Sequence, residues 1–393
     1  MKASSVRRFP FALFPRILVA AGALAGAAVL AAAGPGSTVV PAKEVVKYLD
    51  GRPSAVLRLE AKDQGVVLAH GDGPDQCDYL GARDIWVFEE GGTYYMHYDG
   101  AGVQGWLACL ATSKDLVNWT KHGPALSLGK PGEMDSASAS YGTTFWDGTM
   151  WHMYYLGTPN SSPAPDRVPW FPYTTMKAKA PAATGPWTKQ REVTPFKPKH
   201  GTYYSDTASP GHVVRHGDEY LMFFAASTDK PIKRTLSIAR TKDLNGPWTV
   251  DPQPIVPSEE QVENSSLYYE PSNQTWFLFT NHIGIATYQE LGMDVTKLPA
   301  ELGNQTGPAA VEYTDSIWVY WTKDLNHWDP ANKAVVLDGK NCTWSQVCVG
   351  LPSVVKHGDR LAIFYDAPGG RSMSHMKRDV GLAWLDLPLN PPR

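Results

Sequence analysis

The chain has 393 residues, of which 43% are hydrophobic, 11% aromatic and 19% charged. This composition excludes a disordered chain, and its 35 glycines and 32 prolines favour many short strands joined by turns over a helical protein. The formal net charge of −3 excludes an extended basic surface for nucleic acid or an anionic membrane. We therefore expect an all-β protein whose partner is neutral or cationic.

Residues 1–36 predict a signal peptide and a short linker. Four basic residues come first: Lys2, Arg7, Arg8 and Arg16. The apolar run 17–33 follows and ends in an A-x-A spacing, which is typical of a cleavage site. An uncleaved anchor is disfavoured because this run is just shorter than a spanning helix of roughly 18 to 20 residues. Cleavage would leave a domain over residues 37–393 with a charge of about −7, secreted or periplasmic and without a membrane span.

Four cysteines fit export to an oxidising compartment, where disulfide bonds persist. Because they are close in sequence, we predict that Cys77 pairs with Cys109 and Cys342 with Cys348. A zinc site is the competing interpretation, but no C-x-x-C or H-x-x-x-H spacing accompanies these residues.

A repeated pattern runs through the rest of the chain. Five aromatic or apolar segments each follow a short turn, which indicates a buried strand leaving a hairpin. They are centred on Tyr94, Trp151, Tyr220, Trp276 and Leu361, at intervals of 57, 69, 56 and 85 residues. A second phrase, D-L-x-x-W or a close variant, ends at Trp119, Trp248 and Trp328, with a degraded copy at Trp187.

A repeat of this size, with about four short strands, cannot bury both faces of its sheet alone, so neighbouring repeats must stack around an axis. Five repeats predict a five-bladed β-propeller. The D-L-x-x-W phrase should follow the third strand of a blade, where Asp caps a turn and Trp packs between sheets. Ring closure should pair residues 380–389 with 66–70 or 55–61, because an open ring leaves unpaired edges. A two-sheet sandwich with a separate domain fits the regular spacing less well.

Candidate catalytic residues precede the innermost strands, whose leading ends converge on one face of a propeller. The segments are GARDIWVF, ASASYGTTF, YSDTASPGHVV, VENSSLYY and VGLPSVV. Three of them carry a carboxylate: Asp84, Asp206 and Glu263.

This arrangement resembles the five-bladed glycoside hydrolases of family 43 and its neighbours, the family 32 fructosidases and family 117 anhydrogalactosidases. The resemblance covers residues 70–388. It implies that Asp84 is the general base, Glu263 the general acid and Asp206 a modulator. Cleavage with inversion needs base and acid about 6.5 to 9.5 Å apart, and a third carboxylate raises the pKa of the acid by like-charge repulsion.

The chain departs from the family pattern in blade three and in blade four. Families of this type place the blade-three Asp directly before Pro, whereas Ser209 precedes Pro210 here and Asp206 would have to reach inward through a bulge. The fructosidase hallmarks, a W-x-N-D-P-N-like opening and an E-C dipeptide, are absent, since Glu263 precedes Asn264. Their absence disfavours a retaining fructosidase. A family 117 mechanism would use a His as the acid, and His282 with Glu290 keeps that option open.

Further residues are candidates for binding substrate. Arg371 or Arg378 could hold a hydroxyl or a carboxylate bidentately, and His375 lies in the same loop, although a solvated loop with one Arg–Asp pair is an equal alternative. Arg83 could bind substrate or simply pair with Asp84. The aromatic candidates for stacking on a sugar are Trp106, Trp170 and Tyr204.

Together, the residues and the resemblance predict an exported hydrolase that cleaves a glycosidic bond in a plant or algal polysaccharide or a fragment of it. We expect no required cofactor and no metal ligands, while a structural calcium ion at the axis stays open. The rival functions are a carbohydrate-binding propeller without catalysis and a transferase or phosphorylase with basic phosphate ligands. The sugar and the oligomeric state follow from no pattern in the sequence.

Overall fold

A computed structural model describes residues 36–292 and 310–392. The predicted signal peptide lies outside these ranges. Helical structure in the described residues consists of the 3-10 turns Ala42–Glu44, Pro74–Gln76 and Ser258–Glu260. None of the described helices is long and apolar enough to cross a bilayer.

The strands are grouped into five blades. Three strands come before the first blade: β1 (Ser37–Val39), β2 (Leu57–Leu59) and β3 (Lys62–Leu68). Blade 1 has β4 (Gly81–Glu90), β5 (Thr93–Gly102), β6 (Gly105–Ser113) and β7 (Trp119–Pro124). Blade 2 has β8 (Ser138–Trp146), β9 (Trp151–Thr158), β12 (Tyr173–Ala180) and β13 (Thr188–Lys189), with the inserted hairpin β10 (Asn160–Ser161) and β11 (Pro169–Trp170).

The other three blades follow the same plan. Blade 3 has β14 (Thr207–His216), β15 (Glu219–Thr228), β16 (Lys233–Thr241) and β17 (Thr249–Val250). Blade 4 has β18 (Val262–Glu270), β19 (Thr275–Thr287), β20 (Ala310–Thr322) and β21 (Lys333–Asp338). Blade 5 has β22 (Gly350–His357), β23 (Arg360–Ala367) and β24 (Asp379–Asp386). The prediction of an all-β, five-bladed propeller is confirmed.

The fourth strand of blade 5 comes from the beginning of the chain. β3 pairs antiparallel with β24, with Leu68 opposite Val380. The predicted closure of the ring by residues 66–70 is therefore confirmed. The other candidate segment contains β2, which instead pairs in parallel with β21 of blade 4 at Arg58 and Val335.

Apolar clusters fill the interfaces between neighbouring blades. Between blades 5 and 1, for example, Met96 of β5 packs in one cluster with Phe364 and Leu382 of blade 5. Corresponding clusters join blades 1 and 2, 2 and 3, 3 and 4, and 4 and 5. Each sheet therefore buries both faces against its neighbours, which explains why its central strands carry apolar residues almost continuously.

The D-L-x-x-W phrases lie where they were predicted, after the third strand of a blade. In blade 1, Asp115 accepts hydrogen bonds from the backbone N–H groups of Val117 and Asn118, at 3.0 and 2.8 Å. Each Trp contacts an aromatic ring of the preceding blade. The pairs are Trp119 with Phe364, Trp187 with His97, Trp248 with Tyr154 and Trp328 with Phe223.

The four cysteines are free thiols in this structure, so neither predicted disulfide is present. Cys77 and Cys109 are neighbours, since the thiol of Cys109 donates to the backbone carbonyl of Cys77 at 3.9 Å. Cys342 and Cys348 have separate partners, because the sulfur of Cys342 is 3.5 Å from the Tyr365 hydroxyl while that of Cys348 is 2.9 Å from a guanidinium nitrogen of Arg378. Proximity in sequence was therefore a poor guide for the second pair.

Candidate active site

The first strand of every blade has a β-bulge near its leading end. The register shifts occur between Arg83 and Trp86, Ser140 and Gly142, Ser209 and His212, Glu263 and Ser266, and Gly350 and Ser353. Bulges re-aim side chains and are frequent beside active sites. Four of the bulged residues have a left-handed backbone: Asp84 (φ 48°), Tyr141 (φ 45°), Asn264 (φ 56°) and Leu351 (φ 60°). A repeated bend of the backbone thus brings one short segment of each blade to the axis.

These segments border a cavity of about 200 Å³. Its charged and titratable lining includes Arg83, Asp84, Asp99, Arg234, Glu263 and His375. Aromatic side chains form much of the remaining wall: Trp106, Tyr141, Phe171 and Tyr173. Two of the three predicted catalytic carboxylates, Asp84 and Glu263, therefore lie at one cavity.

Asp84 is held by donors on both carboxylate oxygens. The Nε of Arg83 donates to Oδ2 at 3.0 Å, and the Nδ2 of Asn264 donates to Oδ1 at 3.1 Å. The backbone N–H of Asp84 donates to the carboxylate of Asp366 at 2.9 Å. Contacts from three different blades therefore fix both the main chain and the side chain of this residue.

Glu263 pairs with Arg234 of the neighbouring blade, with Nε and Oε1 at 2.8 Å. The same guanidinium contacts Glu312 at 3.1 Å, and Glu312 in turn pairs with Arg52 at 2.9 Å. Burial opposes the charge of Arg234, but the two carboxylates raise its pKa above the ordinary value. A chain of alternating charges therefore runs from Glu263 through Arg234 and Glu312 to Arg52.

Asn264 links the two carboxylates, and Tyr173 lines the same cavity. Asn264 follows Glu263 directly and bonds Asp84, as described above. Burial and then the charge of Glu263 raise the pKa of the Tyr173 hydroxyl, with a smaller contribution from Asp84. Both acidic groups therefore act on the same small volume, although they are separated by 179 residues in the chain.

Asp206 does not line this cavity. It lies just before β14, its carboxylate accepts a hydrogen bond from the Ser205 hydroxyl at 2.6 Å, and its backbone pairs with Ser227 and Tyr173. The bulge that was expected to carry Asp206 inward begins only at Ser209. The expectation that three carboxylates share equivalent blade positions is therefore wrong, because Glu263 is equivalent to Ser209 and Arg83.

Arg83, Trp106 and His375 lie at the cavity, as expected for substrate-binding residues. Arg83 donates from Nη1 to the Nδ1 of His375 at 3.0 Å, and its guanidinium is 5.2 Å from the centre of the Trp106 ring. Burial and the charges of Arg83, Arg378 and Arg234 lower the pKa of His375. The imidazole is thus neutral beside a cationic side chain.

Four other predicted site residues lie elsewhere, while Trp170 is exposed and lies between the lining residues Pro169 and Phe171. Tyr204 packs edge-on against Tyr203 and Phe224 in the core between blades 2 and 3. Arg371 donates to the carbonyl of Leu291 and borders a separate cavity of about 310 Å³ beside blade 4.

Arg378 and His282 are both buried. Arg378 is 2% exposed and pairs with Asp366. The ring of His282 stacks on Trp318 at 3.9 Å, with Nδ1 2.8 Å from Asp315. His282 does not line the axial cavity, and Glu290 instead bonds Thr287, so the structure lacks the His–Glu arrangement considered for a family 117 mechanism.

Sequence reasoning missed two buried carboxylates, Asp99 and Asp366. They occupy matching positions on the second strands of blades 1 and 5, opposite Arg83 and Gly350. Burial and then the charge of Asp84 raise the pKa of Asp99 well above the ordinary value. The signal was present in the sequence, since both residues follow a Tyr at the end of an aromatic run, in HYDG and FYDA.

No group of three or more His, Cys, Asp or Glu side chains that could hold a metal ion is found in residues 36–292 and 310–392. The described residues therefore offer no ligand set of this kind to a calcium ion at the axis.

No family model and no curated protein matches the chain. Solved structures do. A thermostable family-43 glycoside hydrolase matches with a TM-score of 0.54 and 12% identity over 82% of this chain and 99% of its own. A family 117 glycoside hydrolase from the marine bacterium Zobellia galactanivorans gives 0.56 and 14% over 84% and 93%.

The catalytic domain of a GH62 alpha-L-arabinofuranosidase from Coprinopsis cinerea matches at a TM-score of 0.56 with 10% identity, over 83% of this chain and 96% of its own. The matches extend over nearly the whole length of each of these proteins, while the identities are too low to carry residue roles. The chain therefore has the five-bladed β-propeller fold of these glycoside hydrolases.

Proposed function

We propose that this protein is a glycoside hydrolase that cleaves a glycosidic bond in a plant or algal polysaccharide or oligosaccharide. The observation that carries the proposal is the meeting of Asp84 and Glu263 at one axial cavity bordered by aromatic rings. The fold shared with glycoside hydrolases of families 43, 62 and 117 supports it.

In the proposed mechanism, Asp84 acts as the general base and Glu263 as the general acid. Asp84 takes a proton from a water molecule as that water attacks the anomeric carbon, and Glu263, which must be protonated when substrate is bound, gives its proton to the leaving glycosidic oxygen. The contacts from Arg83 and Asn264 keep the Asp84 carboxylate oriented towards the attacking water. Direct attack by water inverts the anomeric configuration.

Arginines and aromatic rings would hold the sugar. Guanidinium groups donate hydrogen bonds in a fixed plane, so Arg83 and Arg234 are suited to bind adjacent hydroxyl groups. Trp170 is 59% exposed and lies between Pro169 and Phe171, which both line the cavity. An exposed aromatic face at a cavity mouth suits stacking on a sugar ring.

The test is turnover of a panel of aryl glycosides and oligosaccharides by the purified protein. Asp84→Asn and Glu263→Gln should each lower kcat by roughly 10²- to 10⁴-fold, the usual contribution of a general acid or base. Asp324→Asn, in an exposed D-L-x-x-W turn, is the matched control and should retain full activity. NMR of the first-formed anomer decides between inversion and retention. Full activity in both cavity variants would refute the assignment.

Asp206 needs its own variant, because its predicted role as a modulator depends on reaching the cavity. Wild-type turnover by Asp206→Asn would remove it from the mechanism. A loss comparable to that of Asp84→Asn would mean that substrate draws it into the site.

A carbohydrate-binding propeller without catalysis is the second candidate. It is favoured by the two ion pairs in the cavity, Arg83 with Asp84 and Arg234 with Glu263. Paired charges can form hydrogen bonds to the hydroxyl groups of a sugar without any proton transfer. Glycan binding without turnover of any substrate would establish it. The same arginines would serve a phosphorylase, and turnover that depends on phosphate would reveal that activity.

Export is proposed from the leader sequence alone. N-terminal sequencing of the protein recovered outside the cytoplasm tests it. A mature chain starting near residue 34 is the expected result, and a chain that keeps its leader in the cytoplasm would contradict it.

A further inference from the structure

The backbone of Asp84 is held from the neighbouring blade by a buried carboxylate. Its N–H donates to the Oδ2 of Asp366 at 2.9 Å, and Asp366 is fully buried on β23 of blade 5. The other oxygen of Asp366 accepts a hydrogen bond from the guanidinium of Arg378. Asp84 has a φ of 48°, a left-handed conformation that is uncommon for a non-glycine residue.

The same kind of hydrogen bond occurs at the interface between blades 1 and 2. Tyr141, the bulged residue of blade 2, has a φ of 45°, and its N–H donates to Asp99 of blade 1. Asp99 and Asp366 occupy the same register position in their blades, opposite the residue before the bulge. A carboxylate at this position therefore accepts the N–H of the bulged residue of the next blade.

Blade 2 carries no carboxylate at the matching position. Its residue at the matching position is Leu156, opposite Ser140. The bulge of the following blade contains Pro210, which has no N–H to satisfy. An apolar side chain there leaves no buried donor unpaired, whereas Asp84 and Tyr141 each need an acceptor.

Two of the bulged residues are also bonded to each other across the axis. Asn264 of blade 4 donates to the Oδ1 of Asp84 at 3.1 Å. Asp84 is therefore held at its side chain from blade 4 and at its backbone N–H from the carboxylate of Asp366 in blade 5.

We propose that Asp366, oriented by Arg378, is a positioning residue that sets the backbone of Asp84 and so the place of its carboxylate in the cavity. The inference rests on the proposed function, in which Asp84 is the general base. Asp366 does not line the cavity, so its effect on turnover would act entirely through Asp84. A misplacement of about 1 Å costs a reacting group roughly 100-fold in rate.

The test compares Asp366→Asn with Asp366→Leu, two side chains of similar size. Both variants break the pair with Arg378, but only asparagine keeps an oxygen that can accept the N–H of Asp84. We expect Asp366→Leu to lower kcat by roughly 100-fold with KM within about threefold of wild type. The kcat of Asp366→Asn should be at least tenfold higher than the kcat of Asp366→Leu. Rates are normalised to the folded fraction measured by circular dichroism.

Asp135→Asn controls for loss of a buried ion pair. Asp135 is fully buried, pairs with Arg191 at 3.0 Å and does not line the cavity, so its variant should lose melting temperature and keep kcat. If the Asn and Leu variants of Asp366 share one kcat, or if kcat falls in step with melting temperature in all three variants, Asp366 is not a positioning residue. Should both variants of Asp366 fail to fold, Arg378→Lys is measured instead, and an unchanged kcat there overturns the role of the pair.

Asp84→Asn separates failure of this inference from failure of the proposed function. An inactive Asp84→Asn with wild-type kcat in Asp366→Leu refutes the positioning role alone. An active Asp84→Asn refutes the general base and the positioning role together.

Discussion

Trp328 closes the D-L-x-x-W turn of blade 4, and its replacement by alanine should remove a large part of the stability of the fold. Its ring lies edge-on to Phe223 of blade 3 with centroids 6.0 Å apart, and its indole N–H donates to the carbonyl of Leu325 at 2.9 Å. Burying a tryptophan removes roughly 150 to 250 Å² from water, which corresponds to about 4 to 6 kcal/mol as an upper bound. The space left by the removed ring closes in part, so we expect Trp328→Ala to lower the free energy of unfolding by about 3 to 5 kcal/mol.

Equilibrium unfolding in urea, followed by far-UV circular dichroism, measures this loss. Trp328→Phe keeps a ring against Phe223 but loses the indole hydrogen bond, so it should lose much less free energy of unfolding than alanine does. Trp119→Ala is the matched control, because Trp119 makes the same turn contact at 2.9 Å but is only half-buried. A loss below about 1 kcal/mol in Trp328→Ala would refute the reasoning, since that is the range of an ordinary surface substitution. So would a larger loss in Trp119→Ala.

Three further predictions concern the cavity. Burial raises the pKa of Asp99, so the unfolded chain loses this proton at lower pH than the folded one, and wild-type stability falls as pH rises above about 4. The melting temperature of Asp99→Asn relative to wild type should therefore be higher at pH 7 than at pH 4, and a gap that does not change with pH would contradict this. Because the charge of Arg83 contributes to the lowered pKa of His375, Arg83→Met should move the NMR titration of His375 to higher pH, and an unmoved titration would exclude that coupling. Trp170→Ala should raise KM roughly 2- to 12-fold, which corresponds to one stacking contact, with little change in kcat; an unchanged KM would place the sugar elsewhere.

The five blades and their closure could be predicted because they depend on local patterns that repeat. Aromatic runs after short turns define strands, and the Asp and Trp of the D-L-x-x-W phrase act within one turn and against the preceding blade. The convergence of Asp84 and Glu263 followed from the same regularity. Both lie near the leading end of the innermost strand of a blade, at its bulge, and these strand ends border one cavity.

The failed predictions depend on register and on contacts between blades. Asp206 is three residues too early for the bulge at Ser209, and a bulge shifts by one residue which side chains face inward. The role of Asp366 follows only from the backbone of the next blade, which the sequence does not display. Arg378 was a candidate for binding substrate because of its charge, but it is buried against Asp366.

Closure of the ring by β3 has a consequence for biosynthesis. The partner of Leu68 is Val380, so roughly 310 residues must be made after β3 before its partner strand exists. At about 5 to 20 residues per second this takes roughly 15 to 60 s. Throughout that interval the edges of β3 are available to any other unpaired strand, including one from another nascent chain. Yield of this protein should therefore depend strongly on temperature and on chaperones that shield early strands.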